Sequence, residues 1–242
     1  MNPIEIEQAA LAAARSEPRL GPHFRPALLR VDDVGVMTVE AEVASLAQKR
    51  LALERLAATP GVIGIVDRIR VAPAAAMSDG GIADHLRRRF AEATEFLNLA
   101  ILERRSEDDV ELVRAAEAPE AGQLEFEICD GVVVLNGAAP SLASKRLAGV
   151  MTWRTPGVRD VINGMAVEPP EEDAAIQIEE AVKLALETDP FVNAGQIRIG
   201  ARNGVVRLTG LVKSQGMREA AEADAWYVMG VDDVINEIEV RP

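Results

Sequence analysis

The chain has 242 residues, of which 48% are hydrophobic, 27% charged and 3% aromatic, and its formal net charge is −13. That hydrophobic share excludes a disordered composition, and the acidic balance argues against a general binder of nucleic-acid phosphates, which needs clustered Lys and Arg. A single cysteine, Cys129, rules out an intrachain disulfide and a cysteine-rich zinc site.

No run of about 18 apolar residues is present, so no membrane-spanning helix is expected. The N-terminal stretch carries Glu5 and Glu7 and does not read as a signal peptide. A soluble, cytoplasmic protein is the expectation, periplasmic if the true start lies upstream.

In chain order, residues 4–17 predict a first helix, stopped before Pro18. Val34-Gly35 marks a turn between two strands. Ser45 then stands at an N-cap position, where its oxygen accepts a free helix N–H. The helix it opens ends near Gly61, and a strand runs on to Pro73. The same order then returns. A helix over 81–93 puts Ile82, Leu86 and Phe90 on one side. Asp130-Gly131 marks a hairpin turn, Ser141 caps a helix ending near Gly157, and a strand closes before Pro169. The third round has a helix over 171–188 stopped by Asp189-Pro190, the turn Asn203-Gly204, the cap Ser214, the helix end Gly230 and a last strand. Asn-Gly and Asp-Gly between alternating runs are strong hairpin signals, because both turn residues need positive φ. The second round carries extra residues at about 98–120, compatible with a helix opened at Ser106 or with two strands.

These rounds are copies. Segments 34–73, 130–169 and 203–242 align without a gap. The second and third share Gly131/Gly204, Gly137/Gly210, Trp153/Trp226, Gly157/Gly230 and the run Asp-Val-Ile-Asn at 160–163 and 233–236. The expected fold is α+β, with three tandem α-β-β-α-β units at 1–73, 79–169 and 172–242. Each unit places two helices on one face of a small mixed sheet. Units of about 70 residues have marginal cores, so the outer two are expected to contact the middle one.

These motifs resemble the BON domain, named for bacterial osmotically inducible and nodulation proteins. The resemblance rests on the Gly-Val-Val-x-Leu-x-Gly strand, the Ser-capped helix, and the Pro-Gly-Val-x-x-Val-x-Asn-x-x-x-Val ending, complete in the second copy. The first copy departs from it at Ala41 and Asp67, in place of the second glycine and the asparagine. The resemblance implies a non-catalytic module linked to envelope maintenance, osmotic stress and phospholipid interaction, with potassium binding in some members. A binding or scaffold protein is therefore expected. A sensor holding potassium or another cation through backbone carbonyls is the alternative.

The turn glycines Gly35, Gly131 and Gly204 and the helix-end glycines Gly61, Gly157 and Gly230 are expected to serve geometry. Asn163, Asn236 and Asp67 share one strand position turned toward the helices, where a buried polar group needs a partner. The candidate interaction surface combines Arg87, Arg88, Arg89 and Phe90 with Trp153 and Trp226. The arginines suit anionic headgroups, or else form a solvated helix face paired with Glu92 and Glu95. The tryptophans lie off the core faces of their helices, to pack between units or against a partner. Glu171-Glu172-Asp173 read as helix-start charges. His23 and His85 have no H-E-x-x-H or comparable pattern, and no phosphate loop or catalytic triad order is present. No catalytic residue, cofactor or metal ligand is expected, and the expected partner is an anionic phospholipid or a protein.

Overall fold

The computed structural model describes residues 2–22, 24–117 and 122–241; His23 and the end of the extra segment, 118–121, lie outside them. The chain divides into two compact units, Met1–Ala72 and Pro73–Pro242. The second and third copies thus share one unit, and the first copy forms its own.

In the first unit, Asn2 opens α1 (Pro3–Ser16) with a reciprocal cap. Its side chain accepts from the Glu5 N–H, and the Glu5 carboxylate accepts from the Asn2 N–H. β1 (Leu28–Val31) and β2 (Val36–Val43) run antiparallel, α2 (Leu46–Ala57) crosses over, and β3 (Gly64–Val71) returns parallel to β2. Val34 is unsuited to a positive-φ turn, so Asp32 shapes it instead. Its Oδ1 accepts from the Val34 and Val36 N–H groups, and Gly35 takes φ +94°. Ile6, Ala10 and Ala14 of α1 share a core with Met37, Val39, Leu56 and Ile69.

The second unit begins with α3 (Asp79–Glu92), capped by Ser78. Its extra segment is a hairpin, β4 (Leu99–Ser106) with β5 (Asp109–Arg114). The period-two burial of Leu99, Ile101 and Glu103 is what a strand needs, and β4 lies parallel beside β6 (Gly122–Cys129). β7 (Val132–Ala139), α4 (Leu142–Trp153), β8 (Asp160–Asn163) and β9 (Ala166–Val167) complete the second copy. The third copy is α5 (Ala175–Glu187), β10 (Ile197–Arg202), β11 (Val205–Val212), α6 (Gln215–Tyr227) and β12 (Asp233–Val240). The sheets order as β1-β2-β3, β5-β4-β6-β7-β8 with β9 also on β7, and β10-β11-β12. In every copy the central strand pairs antiparallel with its predecessor and parallel with its successor. The architecture is α+β with a repeated α-β-β-α-β unit. Ser45, Ser141 and Ser214 cap the second helix of each copy, accepting from the N–H groups of Gln48, Ser144 and Met217.

One glycine pair explains a sequence departure. Gly137 and Gly210 have φ +109° and +146°, and a Cβ there would meet the Gln123 and Gln196 carbonyl oxygens at 2.2 and 2.1 Å. The opposing strands β6 and β10 run past these positions. In the first copy, pairing stops at Leu28↔Glu40, so no residue of β1 lies opposite Ala41. Gly137→Ala is expected to destabilise the second unit by about 1–3 kcal/mol, whereas Ala41→Gly costs under about 1 kcal/mol. Urea unfolding of both variants measures the contrast.

Candidate interaction surfaces and the buried junction of the second unit

The expected arginine surface is largely consumed by the fold. Phe90 is fully buried and packs edge-on against Phe96 and Phe126, so it offers nothing to a headgroup. Arg87 pairs with Glu103 of β4 and Glu111 of β5. Glu92 and Glu95 are not its partners; the hairpin supplies the acids. The Glu103 carboxylate holds the Arg87 guanidinium above its usual range. Arg89 is half-buried, donates to the Arg154 carbonyl at 3.2 Å, and is pushed down by burial. Arg88 is exposed, with His85 Nδ1 3.3 Å from its guanidinium.

The strand asparagines find partners on the neighbouring helix. Asn163 Nδ2 donates to the Lys145 carbonyl at 2.7 Å, and Asn236 Nδ2 to the Arg218 carbonyl at 3.1 Å. In the first copy, Lys49 holds the same helix position. There Asp67 forms an ion pair with Lys49 Nζ at 2.8 Å, and Lys49 also donates to the Ile69 carbonyl. The second copy also has a lysine here, Lys145, but its Asn163 uses the backbone carbonyl, whereas Asp67 holds the Lys49 side chain.

The tryptophans turn inward. Trp226 is 2% exposed. Trp153 is half-buried and stacks on Tyr227 of the third copy, centroids 6.1 Å apart and planes 5° from parallel. This stack belongs to a buried junction between the two copies, where α4 meets α5 and α6. Arg146 of α4, 1% exposed, donates from Nε to the Met229 carbonyl at 2.9 Å and pairs with Asp173 at 2.5 Å. Arg154, just past the end of α4, reaches between α5 and α6. Its three nitrogens donate to Asp224 Oδ1 at 2.8 Å, Thr188 Oγ1 at 2.9 Å and the Ala185 carbonyl at 2.6 Å. Glu171 accepts from the Leu142 N–H at the start of α4. The acids at 171 and 173 therefore serve α4, not the start of α5, which begins at Ala175.

Burial pushes the Asp224 carboxyl up to about 7, with the neighbouring Asp189 carboxyl adding to the rise and Arg154 opposing it. Asp224 Oδ2 accepts no hydrogen bond. A carboxyl desolvated beside a like charge keeps its proton to higher pH. The first copy solves the same place differently. Glu7 accepts from the Val31 N–H as Glu179 does from the Ala201 N–H, which sets α1 and α5 in one register. Glu17 then matches Asp189, and Arg55 matches Asp224. They pair at 2.8 Å within the copy, and Arg55 holds Glu17 below the usual carboxylate range. Where the first copy has an internal cation, the third takes Arg154 from its neighbour.

Sequence reasoning missed Arg146, Arg154, Asp224 and Asp173. A signal existed: Arg146 lies between Leu142 and Val150 on one line of α4, and Asp224 beside Ala221 and Ala225 on the apolar side of α6. The junction can lock two copies together. It closes around its ionic groups, as a docking contact does.

A family model, BON domain, matches residues 111–169 and 176–242, just over half of the chain. The chain belongs to the BON-domain family. The two matched segments lie within the second and third copies, the pair joined by Arg146 and Arg154. No curated protein matches the sequence. Among solved structures, a C-terminal domain of CdsD, "the structural protein of the Type III secretion system of Chlamydia trachomatis", is 14% identical over 100% of both chains, with a TM-score of 0.24. A second CdsD structure from Chlamydia trachomatis is 14% identical over 98% of this chain and 93% of its own, with a TM-score of 0.25. No helix among the described residues is long and apolar enough to cross a membrane.

Proposed function

We propose that this is a non-catalytic scaffold of three BON modules, residues 1–72 forming the third, and that its partner is another protein. One observation carries the reading: within this chain, one BON module already docks on another through a buried arginine clasp and an aromatic stack. The fold is thus used here as a protein-docking surface, with Arg and aromatic anchors of the kind that dominate interfaces. The shared register of α1 and α5 and the parallel β2–β3 pair support the third module. Maintenance of the cell envelope under osmotic stress, from the cytoplasmic side, is the setting in which we place this role.

The lipid version loses support because Phe90 is buried and Arg87 and Arg89 are engaged. Chemical cross-linking and capture of the full-length protein is expected to yield a stoichiometric protein partner that survives detergent. Flotation with phosphatidylglycerol and cardiolipin vesicles at low salt is expected to leave the protein at the bottom. Co-flotation without a captured protein sinks the protein-partner reading. The cation-sensor alternative requires a melting temperature that rises with potassium; none is expected.

A further inference from the structure

Between α1 and α2 the first unit has an open groove of about 440 Å³, with Ala9, Ala13, Ser16, Glu17, Arg55 and Ala58 among its lining residues. The other copies show what fills this place. The shared register of α1 and α5 makes Ala9, Ala13 and Ser16 the counterparts of Ala181, Ala185 and Thr188. Arg55 and Ala58 align with Asp224 and Tyr227. In the third copy the C-terminal end of α4 lies there. Its C-cap residue Arg154 donates to the Ala185 carbonyl, the Thr188 hydroxyl and Asp224, and Trp153 stacks on Tyr227. In the second copy the place is filled from within. A Cβ on Gly61, Gly157 or Gly230 would meet Ile6, Ile82 or Ile178, so Arg89 stands where the first copy has Ala13. Arg89 donates to the carbonyl of Arg154, the counterpart of Ala58. The first copy leaves the place open.

We infer that this groove receives the C-terminal end of an α-helix from a partner protein, with a carboxylate where α4 carries Arg154. The helix is the guest seen in the third copy, and alanines along the groove let a helix approach closely. The acid follows from an exchange of charge. Asp224, which takes the guest cation in the third copy, is Arg55 in the first. Arg55 spends Nε and Nη2 on Glu17. Its Nη1 has Glu54 at 3.8 Å, beyond hydrogen-bond reach, and so keeps donors for a guest carboxylate. A helix C-terminus is itself the negative pole of the helix, which a cation complements. The chain's own second helices carry Ala58, Arg154 and Tyr227 at the guest position, and none is an acid, so the guest belongs to a different protein. This inference rests on the reading of the chain as a protein-docking scaffold and names the surface and the chemistry of the partner.

The test is a titration of the full-length, ¹⁵N-labelled protein with a side-chain-stapled helical peptide of residues 141–155 carrying Arg154→Glu, followed by amide shifts. Saturable shifts at Ala9, Ala13, Ser16, Arg55 and Ala58 are expected, with the unaltered peptide binding there at least about tenfold more weakly. Ala13→Leu, at a half-buried position on the groove wall, is expected to weaken the acidic peptide at least about tenfold. Arg55→Asp gives the groove the acid of the third copy and is expected to reverse the order of the two peptides. If that variant fails to fold, Ala13→Leu decides. No saturable shift in the first unit, equal response to the two peptides, or unchanged binding by Ala13→Leu overturns the inference. Shifts confined to residues 185–188, from displacement of α4, overturn it as well. Those failures are distinct from failure of the scaffold reading: groove binding can fail while a partner is captured, and capture can fail while the groove binds.

Discussion

Replacing Arg154 with alanine is expected to cost the second unit about 3–5 kcal/mol, the usual penalty for breaking a buried ion pair by removing one partner. The side chain is 11% exposed and Asp224 is 2% exposed, so water cannot replace the lost donor. The variant strands the Asp224 carboxyl, while the Thr188 hydroxyl keeps its bonds to the Leu184 and Ala185 carbonyls. Arg154→Lys is expected to recover only part of the loss. A lysine is one point charge, whereas the guanidinium donates to three acceptors in one plane. Chemical denaturation followed by Trp153 and Trp226 fluorescence reads the second unit, since both tryptophans lie in it. A loss under about 1 kcal/mol for Arg154→Ala would show that the contacts of Arg154 do not hold α4 on α5–α6.

Stability of the second unit is expected to fall as pH rises from about 4 to about 7, and this contribution levels off above. The sign follows from Asp224, whose carboxyl titrates at about 7 in the folded chain and near 4 when unfolded. Between those values the folded state holds a proton that the unfolded state has released. Raising the pH therefore favours unfolding, with a slope of up to about 1.4 kcal/mol per pH unit for one group. The groups facing this carboxyl are Arg154 beyond α4, Asp189 after α5 and Tyr227 of α6. Asp224→Asn removes the titrating group and is expected to flatten the profile in this window. In Arg154→Ala the carboxyl loses its cation and its proton is held more tightly, so the cost of that variant grows above pH 7. Urea midpoints measured from pH 5 to 9 decide both points. A wild-type profile that rises between pH 5 and 7 would refute the raised titration of Asp224.

Much of the fold was legible residue by residue. Asp130-Gly131 and Asn203-Gly204 take positive φ because a turn with both central residues there matches the strand twist. Ser45, Ser141 and Ser214 cap helices because a hydroxyl meets a free N–H two or three residues on. These are local constraints, and a local pattern states them. The extra segment at 98–114 became two strands only once β6 gave β4 a neighbour, since its alternation suits a strand only beside a sheet.

The candidate surface was less legible. A triple arginine reads alike whether it meets lipid, solvent or the Glu103 and Glu111 of a hairpin folded beside it. Helical spacing put Trp226 off the apolar stripe, yet the residue is enclosed. Arg146 and Asp224 broke the apolar lines of their helices, and only the packing of one copy on the next supplied their partners. The sequence by itself determined the repeated unit, its turns and its caps, because each depends on φ, hydroxyls and spacing within a few residues. The tertiary structure decided which charges are buried and which copies share a junction, because burial is set by what lies across space from a residue.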